Sequence, residues 1–342
     1  MIKYAGVLGG GNISETHARA ALETKQVEIA AIHGTNVQKT ARLAGLYGGA
    51  VYEDFDRFME HRPMDLVMIG TPSGLHTEQG IVAALSGLHV LVEKPMAITT
   101  EQADDLIAAC DRSGVKLGVF FQDRAKAHLR KAKELIDSNR LGKPILASAS
   151  VRWFRPPDYY SQSRWRGTRA LDGGGALMNQ GIHTVDLLLW LLGDVSRVYA
   201  SAITALHTID VEDTVVATLE FRSGAIATLE ATTAAYPGYN RRVQLSGSEG
   251  TILIEQDRIV AADLRKPADD IANIEPDANP SAHSALVSDV RGHQAILEDF
   301  LGAIEVNGTA CCDGREGRRS VELVQAIYES SRTRCPVVPG KA

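Results

Sequence analysis

"HVLVEKPMAITT", residues 89–100, carries an apolar run into a glutamate and a lysine and then stops it with Pro95. The run is one of a series. "YAGVLG", "VEIAAI" and "DLVMIG" precede it, and between these runs lie "SETHARAALET", "QKTARLAGLYG" and "HTEQGIVAALSG", whose apolar residues recur at helical spacing. Short apolar runs without polar alternation, each followed by a helix, predict parallel strands covered on both faces. Residues 1–122 therefore read as a doubly wound α/β domain.

The period changes from about residue 145 onward. "PILASASVRWF", "RVYASAIT", "TVVATLEF", "AIATLEAT" and "RVQLSG" alternate polar and apolar residues and are joined by short turns such as "RSG" and "GSEG". This is the pattern of an antiparallel sheet with one face covered. A long helix from Gly175 to Leu192 interrupts the strands and is expected to pack on the sheet. Residues 265–288, rich in Pro, Ala and Asp and without a period, read as an exposed loop. A final pair of helices follows around "QAILEDFLGAIE" and "GRRSVELVQAIYESSR". The expected fold class is thus α/β, with residues 123–342 forming a second, α+β domain on a largely antiparallel open sheet.

The chain has 342 residues, 44% hydrophobic and 23% charged, which is ordinary for a soluble globular protein and long enough for two domains. A net charge of −6 gives no general attraction to nucleic acid or to an anionic membrane, since both need clustered positive charge. Cys110, Cys311, Cys312 and Cys335 show neither CxxC spacing nor a histidine-rich partner tract, so no metal site and no disulfide framework is expected. "MIKYAGVLGGGN" enters its glycines without a longer hydrophobic leader, and no stretch reaches the roughly 20 apolar residues of a membrane span. A cytoplasmic location is expected.

In "GVLGGGNIS", Gly9, Gly11 and Ser14 stand at the spacing of a dinucleotide turn, between a predicted strand and a predicted helix. Gly9 permits the tight turn, Gly11 lets a pyrophosphate approach the backbone, and the small Ser14 lets helix and strand pack. The helix N-terminus behind them offers unpaired N–H groups to the anion. Lys94 is delivered to the carboxyl end of its strand, where open α/β sheets bind ligands, and Pro95 biases it away from helical dihedrals. An ammonium there polarises a carbonyl or holds an alcohol oxygen. The competing reading is a solvated lysine at a strand end. In "GGGALMNQGIHTVDLLLWLLG", Asn179, His183 and Asp186 fall at i, i+4 and i+7, a polar stripe beside Ile182, Val185, Leu188, Leu189 and Leu192. A neutral imidazole at His183 can take a proton from a substrate hydroxyl near neutral pH; a hydrogen-bonded core histidine is the alternative.

Together the glycine turn, "TPSGLHTEQGIVAALSGLHVLVEKP" and "GGGALMNQGIHTVD" resemble the glucose–fructose oxidoreductase / inositol dehydrogenase family of NAD(P)-dependent sugar and polyol dehydrogenases, over nearly the whole chain. The resemblance implies a Rossmann domain, a C-terminal domain whose open sheet mediates homodimers or homotetramers, and a carbohydrate-type substrate held between the two. It carries the catalytic roles onto Lys94 and His183. It carries cofactor contacts onto Gly9, Gly11, Asn12, Ile13, Thr71, Pro72, His76, Glu93 and Lys94. A cis bond at the Lys94–Pro95 step is frequent in the family. Many members have an aspartate four residues before the histidine; this chain has Asn179, which is assigned to a substrate hydroxyl, with Asp186 on the same stripe.

Arg152, Arg155, Arg164, Arg166 and Arg169 cluster with Trp153, Trp165, Tyr159 and Tyr160 ahead of the "GGG" turn, a region that borders the active site in the family. Arg166 and Trp165 are assigned to the substrate. Guanidinium groups there suit a carboxylate, a nucleotide-sugar phosphate or the cofactor pyrophosphate, and exposed arginines on a strand and loop are the other reading. Similar "MNQGIH" helices occur in members that oxidise nucleotide-linked sugar acids. The expected activity is hydride transfer between a secondary alcohol of a sugar, polyol or nucleotide sugar and the nicotinamide. Redox-assisted glycoside cleavage on the same scaffold and a non-catalytic, cofactor-binding regulator are the alternatives. Strand two ends in "HGTN", so Gly34 stands where NAD-selective domains carry Asp or Glu. With that carboxylate missing, and with Thr35, Asn36 and Lys39 nearby to meet a 2′-phosphate, NADP is expected over NAD.

Overall fold

All four apolar runs of the N-terminal region form strands, and two shorter ones join them. β1 (Lys3–Leu8), β2 (Val27–His33), β3 (Ala50–Tyr52), β4 (Leu66–Ile69), β5 (His89–Val92) and β6 (Leu117–Val119) make a parallel sheet in the order β3-β2-β1-β4-β5-β6. The connecting helices are α1 (Asn12–Thr24), α2 (Val37–Tyr47), α3 (Phe55–Met59), α4 (His76–Leu85) and α5 (Thr100–Ser113). Val67, Met68, Ile69, Val90, Leu91 and Val92 are wholly buried, which is why the central strands show no alternation. The chain order reverses between β1 and β4, the point at which doubly wound sheets bind ligands beyond their carboxyl ends.

This computed structural model describes residues 2–266, 274 and 289–340, so most of the 265–288 stretch, expected as an exposed loop, lies outside the described residues. After α6 (Ala127–Asp137) comes a second sheet. β7 (Pro144–Arg152), β8 (Val195–Ile203), β9 (Thr214–Phe221), β10 (Ile226–Thr232), β11 (Arg242–Gly247), β12 (Gly250–Glu255) and β13 (Arg258–Leu264) are ordered β13-β12-β11-β7-β10-β9-β8. The short α7 (Asp158–Ser161) and α8 (Ile182–Leu192) lie between β7 and β8. Every pairing is antiparallel except β7 with β10, which run parallel from Leu146 beside Ile226 to Arg152 beside Thr232. The sheet is therefore mixed but mostly antiparallel. In β9, Val215, Ala217, Leu219 and Phe221 are buried while Val216, Thr218 and Glu220 are exposed, so one face is packed and the other open.

Two expectations are corrected. The helix expected as one piece from 175 to 192 is a π-helical turn, Ala176–Gly181, running into α8. A π turn holds an extra residue, so Asn179 is out of α-helical register with His183. The second correction concerns the domain boundary, since contacts divide the chain into residues 1–122 with 286–318 and residues 123–285 with 319–342. Residues 286–318 group by contacts with the first unit and not with 123–285. Packing gives the reason: α9 (Arg291–Glu305) buries Ile296, Leu297 and Phe300, and a Cβ on Gly118 of β6 would come 2.7 Å from the Phe300 ring. Asp313 then bridges to Gly118 before α10 (Gly314–Thr333) begins. An amphipathic period announces a helix, not the surface it covers.

Candidate active site

The parallel strands of the first unit end level. Leu8 pairs with both His33 and Ile69, and Ile69 with Val92, so Gly9, Gly34, Gly70 and Glu93 leave the sheet side by side. Gly9 N donates to His33 O at 2.8 Å, Gly70 N to Leu8 O at 2.8 Å and Glu93 N to Ile69 O at 2.9 Å. Gly9 has φ +117°, and a Cβ on it would lie 2.4 Å from Ser14 Oγ and 2.7 Å from Gly70 O, so only glycine fits. Ser14 is buried against both glycines, the close packing that a small third residue of the motif allows. Gly11 is the N-cap of α1, no side chain caps its first N–H groups, and a Cβ on Gly11 would meet nothing within 4 Å. Open backbone donors at a helix N-terminus fit a pyrophosphate. Asn12 is exposed and Ile13 half-buried beside them.

Gly34 has a packing role of its own: a Cβ there would come 3.0 Å from Thr40 Cγ2 and 3.2 Å from Gly10 N. Thr35, Asn36 and Lys39 are exposed next to it. Asn36 Oδ1 accepts from Lys39 N at 3.0 Å, capping α2, so its oxygen is engaged by the helix.

Lys94 is half-buried at the end of β5, and its bond to Pro95 is cis. The preceding Glu93, expected to line the cofactor, is turned into the protein instead. Its Oε1 accepts from His17 Nε2 at 3.0 Å and lies 3.3 Å from His293 Nε2, and its Oε2 accepts from Lys94 N at 3.1 Å. His17 stacks on Phe120 with ring centroids 4.3 Å apart. Burial alone would raise the Glu93 pKa, but the imidazole hydrogen bonds outweigh it and hold the carboxyl well below its usual range. Burial pushes His17 down, and the Nδ1 atoms of His17 and His293 are buried without a hydrogen-bond partner. His76 is likewise drawn inward. Its Nδ1 lies 2.8 Å from Pro95 O and its Nε2 2.9 Å from Thr71 O, tying the loop after β4 to the segment after β5, and burial lowers its pKa. Thr71 donates to Gln79 Oε1 at 2.6 Å, and both Thr71 and Pro72 stay half-buried at the sheet edge.

In the second unit, His183 is half-buried while every other residue of the first two turns of α8 is buried. Asp186, expected to bind substrate, is one of those. Arg124 forks onto it, Nε to Oδ2 at 2.9 Å and Nη2 to Oδ1 at 2.6 Å, so both carboxylate oxygens are engaged within the unit and the substrate role is withdrawn. Asn179 Nδ2 donates to Asp172 Oδ1 at 2.7 Å, and Asp172 Oδ2 accepts from Gly167 N at 2.8 Å. The "GGG" motif has a steric basis. A Cβ on Gly174 would meet Tyr328 Oη at 2.3 Å, and one on Gly175 would meet Glu212 O at 1.7 Å. Glu212 accepts from Gly175 N at 2.9 Å and Leu177 N at 2.8 Å, fixing the start of the turn that carries Asn179; burial raises its pKa.

A residue the sequence reading passed over, Asp123, lies near His183. Burial would raise its pKa, but Arg241, Lys126 and then His183 outweigh this and hold it well below the carboxylate range. Arg241 Nη1 and Lys126 Nζ each reach Asp123 at 2.5 Å, and both cations also contact Asp257. The five arginines ahead of the glycines divide. Arg152 pairs with Glu230, Arg169 Nε donates to Asp210 O at 3.0 Å, and Arg164 is exposed. Arg155 and Arg166 gather on Tyr159, 5.5 and 4.3 Å from its ring centroid, and Arg166 lies 5.3 Å from that of the half-buried Trp165.

Among the described residues no helix is long and apolar enough to cross a membrane. Residues 3–121 match the oxidoreductase family with an NAD-binding Rossmann fold, and residues 129–253 match the GFO/IDH/MocA C-terminal domain. The WlbA dehydrogenase from Bordetella pertussis, solved in complex with NADH and UDP-GlcNAcA, is 32% identical with a TM-score of 0.90, covering 100% of this chain and 98% of that one. The 1,5-anhydro-D-fructose reductase of Ensifer adhaerens is 28% identical over 339 residues, 96% of each chain. The D-xylose 1-dehydrogenase (NADP(+)) 2 of Haloferax volcanii is 27% identical over 339 residues, 96% of this chain and 97% of that one. With its nucleotide-binding turn, its "EKP" strand end and its "GIH" helix all present and both halves matched, the chain belongs to the GFO/IDH/MocA family of NAD-binding oxidoreductases.

Proposed function

We propose that the protein is an NAD(P)-dependent dehydrogenase that moves a hydride between the nicotinamide and a secondary alcohol of a sugar, polyol or nucleotide sugar. The observation that carries this reading is the level row of strand ends, with an uncapped helix N-terminus at Gly11 and a half-buried lysine two strands away. When bound, the nicotinamide supplies the hydride acceptor. Gly9, Gly11, Asn12 and Ile13 take the pyrophosphate, and Thr71 and Pro72 line the cofactor's path along the edge. The Lys94 ammonium holds the alcohol oxygen and stabilises negative charge developing on it. The His183 imidazole takes the hydroxyl proton, and the Asp123 carboxylate steadies the imidazolium that results. Asn179 holds a neighbouring hydroxyl.

Cofactor choice follows from the tip of β2. With no carboxylate at Gly34 and with Thr35, Asn36 and Lys39 exposed beside it, we assign a preference for NADP. Assembly follows from the open sheet face, where Leu146, Tyr199, Val216 and Ile226 are 50%, 51%, 52% and 50% exposed. An apolar sheet face of this kind is covered by a second copy across a two-fold axis, giving a dimer or tetramer. The test is a panel of sugars, inositols and nucleotide sugars offered with each cofactor, followed by the appearance of reduced nicotinamide. Reduction abolished in His183→Ala supports the reading. Cofactor binding without reduction on any member of the panel would sink it.

A further inference from the structure

We propose that Arg166, with Arg155 and Tyr159, forms an anion subsite for a carboxylate or phosphate carried by the substrate, so that the preferred sugar is acidic. The inference rests on the dehydrogenase reading and names its substrate class. Arg166 differs from the paired arginines of the same segment. Its side chain makes one long hydrogen bond, Nη1 to Tyr159 O at 3.4 Å, and its Nε is buried with no partner. Among the described residues no carboxylate pairs with it.

Stacking explains how the guanidinium is held. The rings of Tyr159 and Trp165 lie 4.3 and 5.3 Å from its central carbon, and stacking covers the face of a guanidinium while leaving its in-plane N–H edges for an acceptor. Those edges match the two oxygens of a carboxylate or phosphate. Arg155, 6% exposed, brings a second positive charge to the same Tyr159 ring, 5.5 Å from its centroid.

The subsite lies close to the proposed base. Gln180, 6% exposed, donates Nε2 to Tyr159 Oη at 3.2 Å, and its Oε1 is buried without a partner. Gln180 precedes His183 by three residues, at the junction of the π turn and α8, so the element that bears the proposed base also touches the subsite.

The experiment measures binding by calorimetry to the full chain loaded with nicotinamide cofactor, using D-glucose, D-glucuronate, UDP-glucose and UDP-glucuronate as probes. Wild type is expected to bind at least one anionic probe about tenfold or more tighter than D-glucose, and Arg166→Gln to collapse that ratio by about 10- to 100-fold, the range for lost charge-assisted hydrogen bonds. Glucuronate showing the preference identifies a carboxylate, and UDP-glucose showing it identifies a phosphate. Arg166→Lys keeps the charge but not the fork and should recover only part of the ratio, which preserves the test if Arg166→Gln fails to fold. Arg164→Gln, on an exposed neighbour, should leave the ratio intact. No preference for any anionic probe, or a ratio unchanged in both Arg166 variants, overturns the proposal. Anionic preference without nicotinamide reduction would leave the subsite standing and remove the dehydrogenase reading; reduction of neutral sugars without the preference would do the reverse.

Discussion

Lys94 and His183 each stand beside a buried carboxylate, Glu93 one residue before the lysine and Asp186 three residues after the histidine, yet the two acids are paired by different chemistry. Asp186 is held by the Arg124 guanidinium and Glu93 by the imidazoles of His17 and His293. A guanidinium keeps its charge at any working pH, whereas an imidazole changes its charge near 6.5. The fork on Asp186 is therefore a permanent pin under α8. Burial holds His17 below that value, so the end of β5, not α8, is where local order should follow pH.

The sharpest way to break this comparison is to remove each carboxylate. Asp186→Asn removes the charged partner of a buried guanidinium and should lower stability by about 3 to 5 kcal/mol in urea unfolding. Glu93→Gln leaves the two buried rings with weaker hydrogen bonds and should cost about 1 to 3 kcal/mol. Equal losses would mean that the imidazole contacts hold as firmly as the guanidinium fork. On the catalytic side, Lys94→Met and His183→Ala should each lower kcat by roughly 10²-fold or more, with cofactor affinity in Lys94→Met largely retained. Near-normal turnover in either variant would return that residue to a structural role.

A third measurement reads the pH difference directly. Burial lowers the folded-state pKa of His17 and His76, so between the ordinary value near 6.5 and the lower folded value the unfolded chain binds more protons. Their stabilising effect is complete above about 6.5 and is lost as pH falls below it. Glu93 adds a second loss only below its unfolded value of 4.5. Amide exchange in α1 and at the end of β5, corrected for the intrinsic rate, should thus quicken between pH 7 and 5.5 while α8 stays protected; parallel behaviour of the two would erase the distinction.

The smallest expected effect lies outside both buried sets. Wild type should favour NADP by tenfold or less in kcat/KM, because one exposed charged contact is worth about 1 kcal/mol. Gly34→Asp is a poor probe of this, since a side chain there crowds Thr40 and the Gly10 amide. Thr35→Asp on the exposed neighbour should move the preference toward NAD. A wild-type preference for NAD that this substitution leaves untouched would show that the ribose is read elsewhere.

Much of the molecule was legible because its signals are local. The apolar runs, the helical spacing between them and the alternation of β9 each sit within a few residues, and so do the steric demands of Gly9 and Ser14. Local signals end where a residue's partner is distant. The family resemblance made Glu93 a cofactor contact, but its side-chain partners His17 and His293 are 76 and 200 residues away. Asp186 continued a polar stripe, and nothing in the stripe announced Arg124, 62 residues earlier. Asp123 carried no motif, so its place near His183 had no local sign.

By itself the sequence determined the two kinds of sheet, the nucleotide turn, the lysine at a strand end and the histidine on an apolar helix, since backbone sterics and hydrophobic period act over short stretches of chain. Only the tertiary structure decided which charged groups face inward and which stay available, and that residues 286–318 complete the first unit. Burying a charge requires a partner, and that partner is chosen by packing between segments far apart in the chain, which no local period encodes.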